Sequence, residues 1–161
     1  GSMSESGELL HRIIDTVSHT RLIADMEGED LLYATEKGVF LIKPNREELL
    51  ALFGEEDTSD ETVVSCAKKL KERGAENVLV SLGGDGAILL SDDGKTYRLR
   101  APKIEVKSTV GAGDSCLAGF VAGYDRGPEF SLSLAVAAGA ATAASEGIAD
   151  ASEILKVLSE M

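Results

Sequence analysis

Ser108-Thr109-Val110-Gly111-Ala112-Gly113-Asp114 places two glycines and one carboxylate directly ahead of an apolar stretch with helical character. Glycine lets backbone N–H groups come close to a ligand. The first N–H groups of a helix have no partner inside it, and they attract anions. An aspartate in the first turn sits where the helix dipole favours negative charge. These features describe an oxyanion or phosphate cradle with a carboxylate beside it. A glycine turn followed by a capping aspartate would be spelled the same way. Ser81-Leu82-Gly83-Gly84-Asp85-Gly86 is the second candidate. Its three glycines in four positions would admit a polyphosphate against the backbone. Gly84-Asp85-Gly86 is equally ordinary chemistry for a turn between strands. No Lys-Ser/Thr pair follows these glycines, so the loop is not a P-loop. The third candidate is Lys43-Pro44-Asn45-Arg46-Glu47-Glu48. Asn45 with Glu48 three residues on spells a capping box. The same two residues suit a hydrated Mg²⁺, which prefers oxygen ligands and retains waters. Lys43 is either a phosphate contact or a solvated charge at a strand end.

These loops need elements to hold them. Apolar spacing predicts helices over 6–20, 29–37, 46–53, 60–73, 113–126, 131–145 and 151–159. Gly38, Gly54 and Gly74 close the second, third and fourth of these, and Ser59 or Asp60 caps the fourth. Short apolar runs predict strands over 21–26, 39–42, 77–82, 87–91, 96–100 and 104–106. Asp92-Asp93-Gly94-Lys95 turns one strand into the next as a late antiparallel hairpin. Continuously apolar strands alternating with helices argue for an α/β fold, with a parallel sheet covered on both faces. Ligands of such sheets bind at the carboxyl ends of the strands, where all three candidate loops lie.

Composition narrows the class. The chain has 161 residues, about one domain's worth. Its 16 Lys and Arg against 28 Asp and Glu give a net charge of −12. That field repels phosphate backbones and anionic bilayers, so neither nucleic acid nor a membrane is expected as a partner. No apolar run reaches membrane-spanning length, and no signal peptide is read. Cys66 and Cys116 form no disulfide framework or zinc site, which fits two core residues of a reduced, cytoplasmic protein. Gly1-Ser2-Met3 reads as a cloning remnant. His11 and His19 read as surface residues. The alanine-rich stretch Ser131–Ser145 suits close approach of a flat adenine or of a neighbouring helix.

Taken together, Asn45-x-x-Glu48, Ser81-x-Gly83-x-x-Gly86 and Ser108–Val121 resemble, in this order along the chain, the signatures of the ribokinase-like, pfkB-type carbohydrate kinases. Within that family the sequence is most similar to the branch that acts on sugar phosphates. The resemblance runs from about Ser6 to near the end of the chain. It implies a ribokinase-like three-layer α/β/α fold, present in part. Residues 4–161 would be its C-terminal nucleotide-binding and catalytic part, without the upstream sugar-binding strands.

The resemblance also implies transfer of the ATP γ-phosphoryl group to a sugar-phosphate hydroxyl, with Mg²⁺ present. Asp114 would accept the hydroxyl proton. The amides of Gly111, Ala112 and Gly113 would hold the phosphoryl oxygens. Ser81, Leu82, Gly83, Gly84, Asp85 and Gly86 would line the ATP phosphates, with Lys43 and Asn45 nearby. Glu48 would organise the metal through water. Many members carry Asp where this chain has Ser108, and that Asp is linked to a monovalent-cation site. Activation by K⁺ is therefore not expected. A sheet cut in its middle would expose strand 21–26, a route to homo-oligomers.

Overall fold

The computed structural model describes residues 5–17 and 21–161. Helix α1 (Glu5–Val17), strand β1 (Ile23–Ala24), α2 (Gly28–Glu36), β2 (Leu41–Ile42), α3 (Arg46–Phe53), α4 (Asp60–Arg73) and β3 (Asn77–Ser81) come first. Strands β4 (Ala87–Leu90) and β5 (Thr96–Leu99) follow, then α5 (Ala112–Gly123), α6 (Pro128–Ala144) and α7 (Ala151–Ser159). The strands are ordered β1-β2-β3-β4-β5, with β1 parallel to β2 and β2 parallel to β3. The chain divides into two compact units. One takes the described residues through Val80 together with Leu90–Thr96. The other takes Ser81–Leu89 and Tyr97–Met161.

In the first unit β2 and β3 are buried on both faces. Val39, Leu41, Ile42, Val78, Leu79 and Val80 have no exposed surface, and Leu31, Leu49, Val63, Cys66 and Leu70 cover them. Each such side chain contributes about 1.5–3 kcal/mol relative to exposure. Helix boundaries follow their caps. Asn45 and Glu48 close a full capping box on α3, and Gly54 ends it. Ser59 caps α4 by accepting the Thr62 N–H. Helix α1 is fixed to α2 by polar contacts. His11 stacks on Tyr33 at 3.6 Å and bonds Asp30 at 3.1 Å. Tyr33 and Lys37 both bond Asp15. His11 is thus half-buried rather than a surface residue, because a flat ring stacked on tyrosine loses solvent on that face. His19, the expected helix end at Thr20 and Gly1–Met3 lie outside the described residues.

In the second unit, α5 and α6 meet backbone to backbone. A Cβ on Gly119 would stand 2.5 Å from the Leu134 carbonyl, and one on Gly123 would stand 2.9 Å from Ser131 Cα. Ala135, Ala137, Ala138 and Ala141 are buried. The small residues of α6 therefore serve the neighbouring helix. Asp150 caps α7 with a capping box.

Residues 104–106 form no strand. Their alternation suggests one, but Val106 is 59% exposed, and among the described residues the backbone anchor nearby is the Ala143 carbonyl, which takes the N–H groups of Lys107 and Ser108. Strands β1 and β2 are two residues each, shorter than their apolar runs.

Two capping and clasping aspartates carry a pH dependence. Hydrogen bonds from Lys37 and Tyr33 hold Asp15 below the ordinary aspartate value of 3.8. The Ser152 hydroxyl and the Glu153 N–H do the same for Asp150. A depressed folded pKa stabilises the fold above the unfolded value and is lost as pH falls through the folded one. Thermal unfolding should therefore be flat near neutrality and should drop below about pH 4. Asp150→Ala should shrink that drop. An unchanged acid limb in the variant would remove Asp150 from the account.

Candidate functional site

Gly111 is the N-cap of α5 at φ 77°, a left-handed conformation that favours glycine. It turns the chain from the exposed 104–110 segment into the helix, which begins at Ala112, one residue earlier than the sequence suggested. Upstream, the Val110 N–H donates to Ser108 Oγ at 3.2 Å. The Ala112 N–H is given to the Thr109 carbonyl at 3.3 Å, so it is not an open donor. Among the described residues, no acceptor bonds the N–H groups of Gly111, Gly113 or Asp114. Gly111–Gly113 are half-buried and Asp114 is exposed. Among the described residues the Asp114 side chain makes no capping bond, and the N-cap is Gly111. An open helix N-terminus with three unspent donors and an unspent carboxylate can hold an anion and accept a proton beside it.

In the same unit, residues 83–85 form one 3₁₀ turn after β3. The Leu82 N–H bonds the Gly86 carbonyl at 2.8 Å, and the Gly86 N–H bonds the Gly83 carbonyl at 3.1 Å. Arg98 donates to the Asp85 carbonyl at 2.9 Å. Gly86 has φ 101°, and a Cβ on it would lie 2.0 Å from the Leu99 carbonyl oxygen. Gly83 and Gly84 are exposed, with nothing within 4 Å of an added Cβ. Among the described residues their N–H groups have no acceptor. Ser81 is half-buried and Leu82 buried.

The third loop belongs to the first unit. Asn45 Oδ1 accepts the Glu48 N–H at 2.9 Å, and Glu48 Oε2 accepts the Asn45 N–H at 2.9 Å. Glu48 Oε1 has no partner among the described residues. One free carboxylate oxygen suits water-mediated contact with Mg²⁺, which retains its hydration shell. Among the described residues no cluster of three His, Cys, Asp or Glu forms a protein cage for a metal. Lys43 is not a solvated strand-end charge. It is 7% exposed, and its Nζ pairs with Asp25 Oδ2 at 3.2 Å. The physical reason is register. Ala24 pairs with Ile42, so Asp25 and Lys43 are the next residues out on neighbouring parallel strands. A buried ammonium needs such a counter-charge. Asp25 and Arg98 escaped the sequence reading. The parallel register is the signal that would have found Asp25; nothing in the sequence marks Arg98.

Residues 6–155 match the pfkB family carbohydrate kinase family. The chain is 43% identical over 145 residues to the 1-phosphofructokinase of Bacillus subtilis, covering 89% of this chain and 48% of that protein. It is 41% identical over 145 residues to the D-tagatose-1-phosphate kinase of Bacillus licheniformis, covering 88% and 47%. Arabidopsis thaliana ribokinase, solved with ribose and ATP, superposes with a TM-score of 0.79 at 26% identity, covering 94% of this chain and 52% of that one. The chain spans about half the length of the curated relatives it matches. Its ribokinase-like α/β fold and its match over 6–155 agree: the chain belongs to the pfkB family of carbohydrate kinases.

Proposed function

We propose that this chain is the C-terminal nucleotide-binding and catalytic part of a sugar-phosphate kinase. Joined to the rest of the kinase domain, it moves the ATP γ-phosphoryl group to a hexose-phosphate hydroxyl, converting fructose 1-phosphate to fructose 1,6-bisphosphate. The observation that carries this reading is the open first turn of α5, where three unspent amides stand beside an exposed carboxylate.

The amides of Gly111, Gly113 and Asp114 hold the γ-phosphoryl oxygens as charge develops. Asp114 takes the proton of the attacking hydroxyl. The new bond forms between that oxygen and phosphorus as the bridging P–O bond breaks, and ADP leaves with the electron pair. Phosphoryl transfer passes through a loose transition state, so the base is needed late and positioning dominates. Residues Ser81–Gly86 cradle the remaining phosphates, chiefly through the Gly83 and Gly84 amides. By resemblance to the family, Lys43, which pairs with Asp25 in its own unit, would be a further phosphate contact. By the same resemblance, Glu48 and Asn45 would hold Mg²⁺ through water, and the ion would supply charge neutralisation.

A second reading takes tagatose 6-phosphate or fructose 6-phosphate as substrate; the 41% identity to a D-tagatose-1-phosphate kinase favours a tagatose phosphate. A third makes the chain a nucleotide-binding module that complements a separate polypeptide. One set of assays separates them. The chain joined to the rest of a pfkB-type kinase domain is given ATP, Mg²⁺ and each sugar phosphate. The highest kcat/KM on fructose 1-phosphate supports the proposal, and preference for another sugar moves the substrate assignment. ATP binding without any turnover leaves the module reading. Sedimentation of this chain alone tests self-association through β1, the sheet-edge strand. A monodisperse monomer counts against it. The reading implies a cytoplasmic enzyme, and among the described residues no helix is long and apolar enough to cross a membrane.

A further inference from the structure

We propose that Thr142, in the last turn of α6, is a positioning residue for the Asp114 loop and acts through Ser115. Thr142 is fully buried and Ser115 is 7% exposed. The Thr142 hydroxyl donates to Ser115 Oγ at 2.8 Å and accepts the Ala149 N–H at 3.2 Å. Its donor and an acceptor site are thus both used, in a buried relay from Ala149 through Thr142 to Ser115. Ser115 directly follows Asp114, and its own N–H closes the first turn on the Gly111 carbonyl at 2.9 Å. A Cβ on Gly111 would stand 4.0 Å from Thr142 Cγ2, so the same side chain backs the turn as well.

The adjoining residues of α6 hold the rest of the loop. The Ala143 carbonyl accepts the N–H groups of Lys107 at 2.8 Å and Ser108 at 3.2 Å. Gly139, one turn earlier, leaves room for the Ala112 carbonyl, which would lie 3.3 Å from a Cβ there. Residues 107–111 have no strand or helix of their own. Their placement comes from one helical turn that grips the loop ahead of the hinge through Ala143 and behind it through Thr142. Of these grips only Thr142 is a side-chain hydrogen bond, so a substitution can remove it without touching the backbone. Losing the hydroxyl would leave Ser115 Oγ and the Ala149 N–H buried without partners, and the turn would shift to re-satisfy them. Reacting groups displaced by about 1 Å lose up to about 10²-fold in rate.

What the loop does rests on the kinase reading; that it is pinned does not. The test uses Thr142→Val, which keeps the shape and removes the hydroxyl, Thr142→Ser, which keeps the hydroxyl, and Ser115→Ala, which removes the acceptor. Hydrogen–deuterium exchange on this chain should rise about tenfold at the bonded Ala112 and Ser115 amides for Thr142→Val and Ser115→Ala, with β2 and β3 unchanged. Thr142→Ser should restore protection. In the joined kinase, Thr142→Val should lower kcat about tenfold and hold KM for ATP within about twofold, the signature of an interaction felt at the transition state. Wild-type exchange at Ala112 and Ser115, or a rise spread evenly over the chain, overturns the proposal. Faster local exchange in Thr142→Val alongside full phosphotransfer by Asp114→Asn would sink the kinase assignment of the loop and keep the pinning.

Discussion

Asp114→Asn should lower kcat for phosphoryl transfer by at least about 10²-fold, the lower end of what a positioned general base contributes. ATP affinity should stay within about threefold, because the amide donors of the turn belong to the backbone and survive the change. The variant is informative because the Asp114 carboxylate makes no capping bond. Removing its charge therefore breaks no hydrogen bond that holds α5, and a fall in rate reads as chemistry rather than unfolding. A loose transition state asks little of the base early, so the loss should sit nearer 10² than 10⁴, as an order of magnitude. The measurement is kcat beside a calorimetric ATP dissociation constant, in the joined kinase. Unaltered turnover would strip Asp114 of its role.

Gly86→Ala should be the most damaging single methyl in the second unit. The added Cβ would meet the Leu99 carbonyl oxygen at 2.0 Å and the Ala101 nitrogen at 2.6 Å, with φ at 101°. All of these are backbone constraints, so no flexible side chain can swing aside. The 82–86 turn and the chain after β5 must part, at a cost of about 3–5 kcal/mol. Against total stabilities of about 5–15 kcal/mol, that is a large share. A fall in Tm of roughly 10 °C is expected by circular dichroism, together with loss of ATP binding. Gly84→Ala is the matched control, since nothing stands within 4 Å of its Cβ. Equal melting of the two variants would contradict the geometry.

Legibility in the sequence tracked how local each determinant is. Helices 46–53, 60–73 and 151–159 were readable to the residue, because Asn45, Ser59, Gly54, Gly74 and Asp150 act on neighbours within four positions. The three glycine and cap loops were readable for the same reason. What escaped depends on distant partners. The counter-ion of Lys43 is Asp25, on another strand, so a buried lysine looked like an exposed one. The partner of His11 is Tyr33 on the next helix. Residues 104–106 have strand-like alternation, yet a strand also needs a neighbour to pair with, and composition cannot supply one. The Ala112 amide differs from its neighbours because a turn to Thr109, invisible in composition, engages it.

The contact of α5 with α6 has a consequence for how variation here should be interpreted. Where two main chains touch at Gly119 and Gly123, nearly every alternative residue collides with carbonyl or Cα atoms. A library of variants screened for solubility alone would keep these two glycines as stringently as one screened for turnover. Invariance along that seam therefore diagnoses steric exclusion. Evidence for a role in the reaction has to come from positions such as Asp114, where the fold tolerates replacement and only chemistry objects.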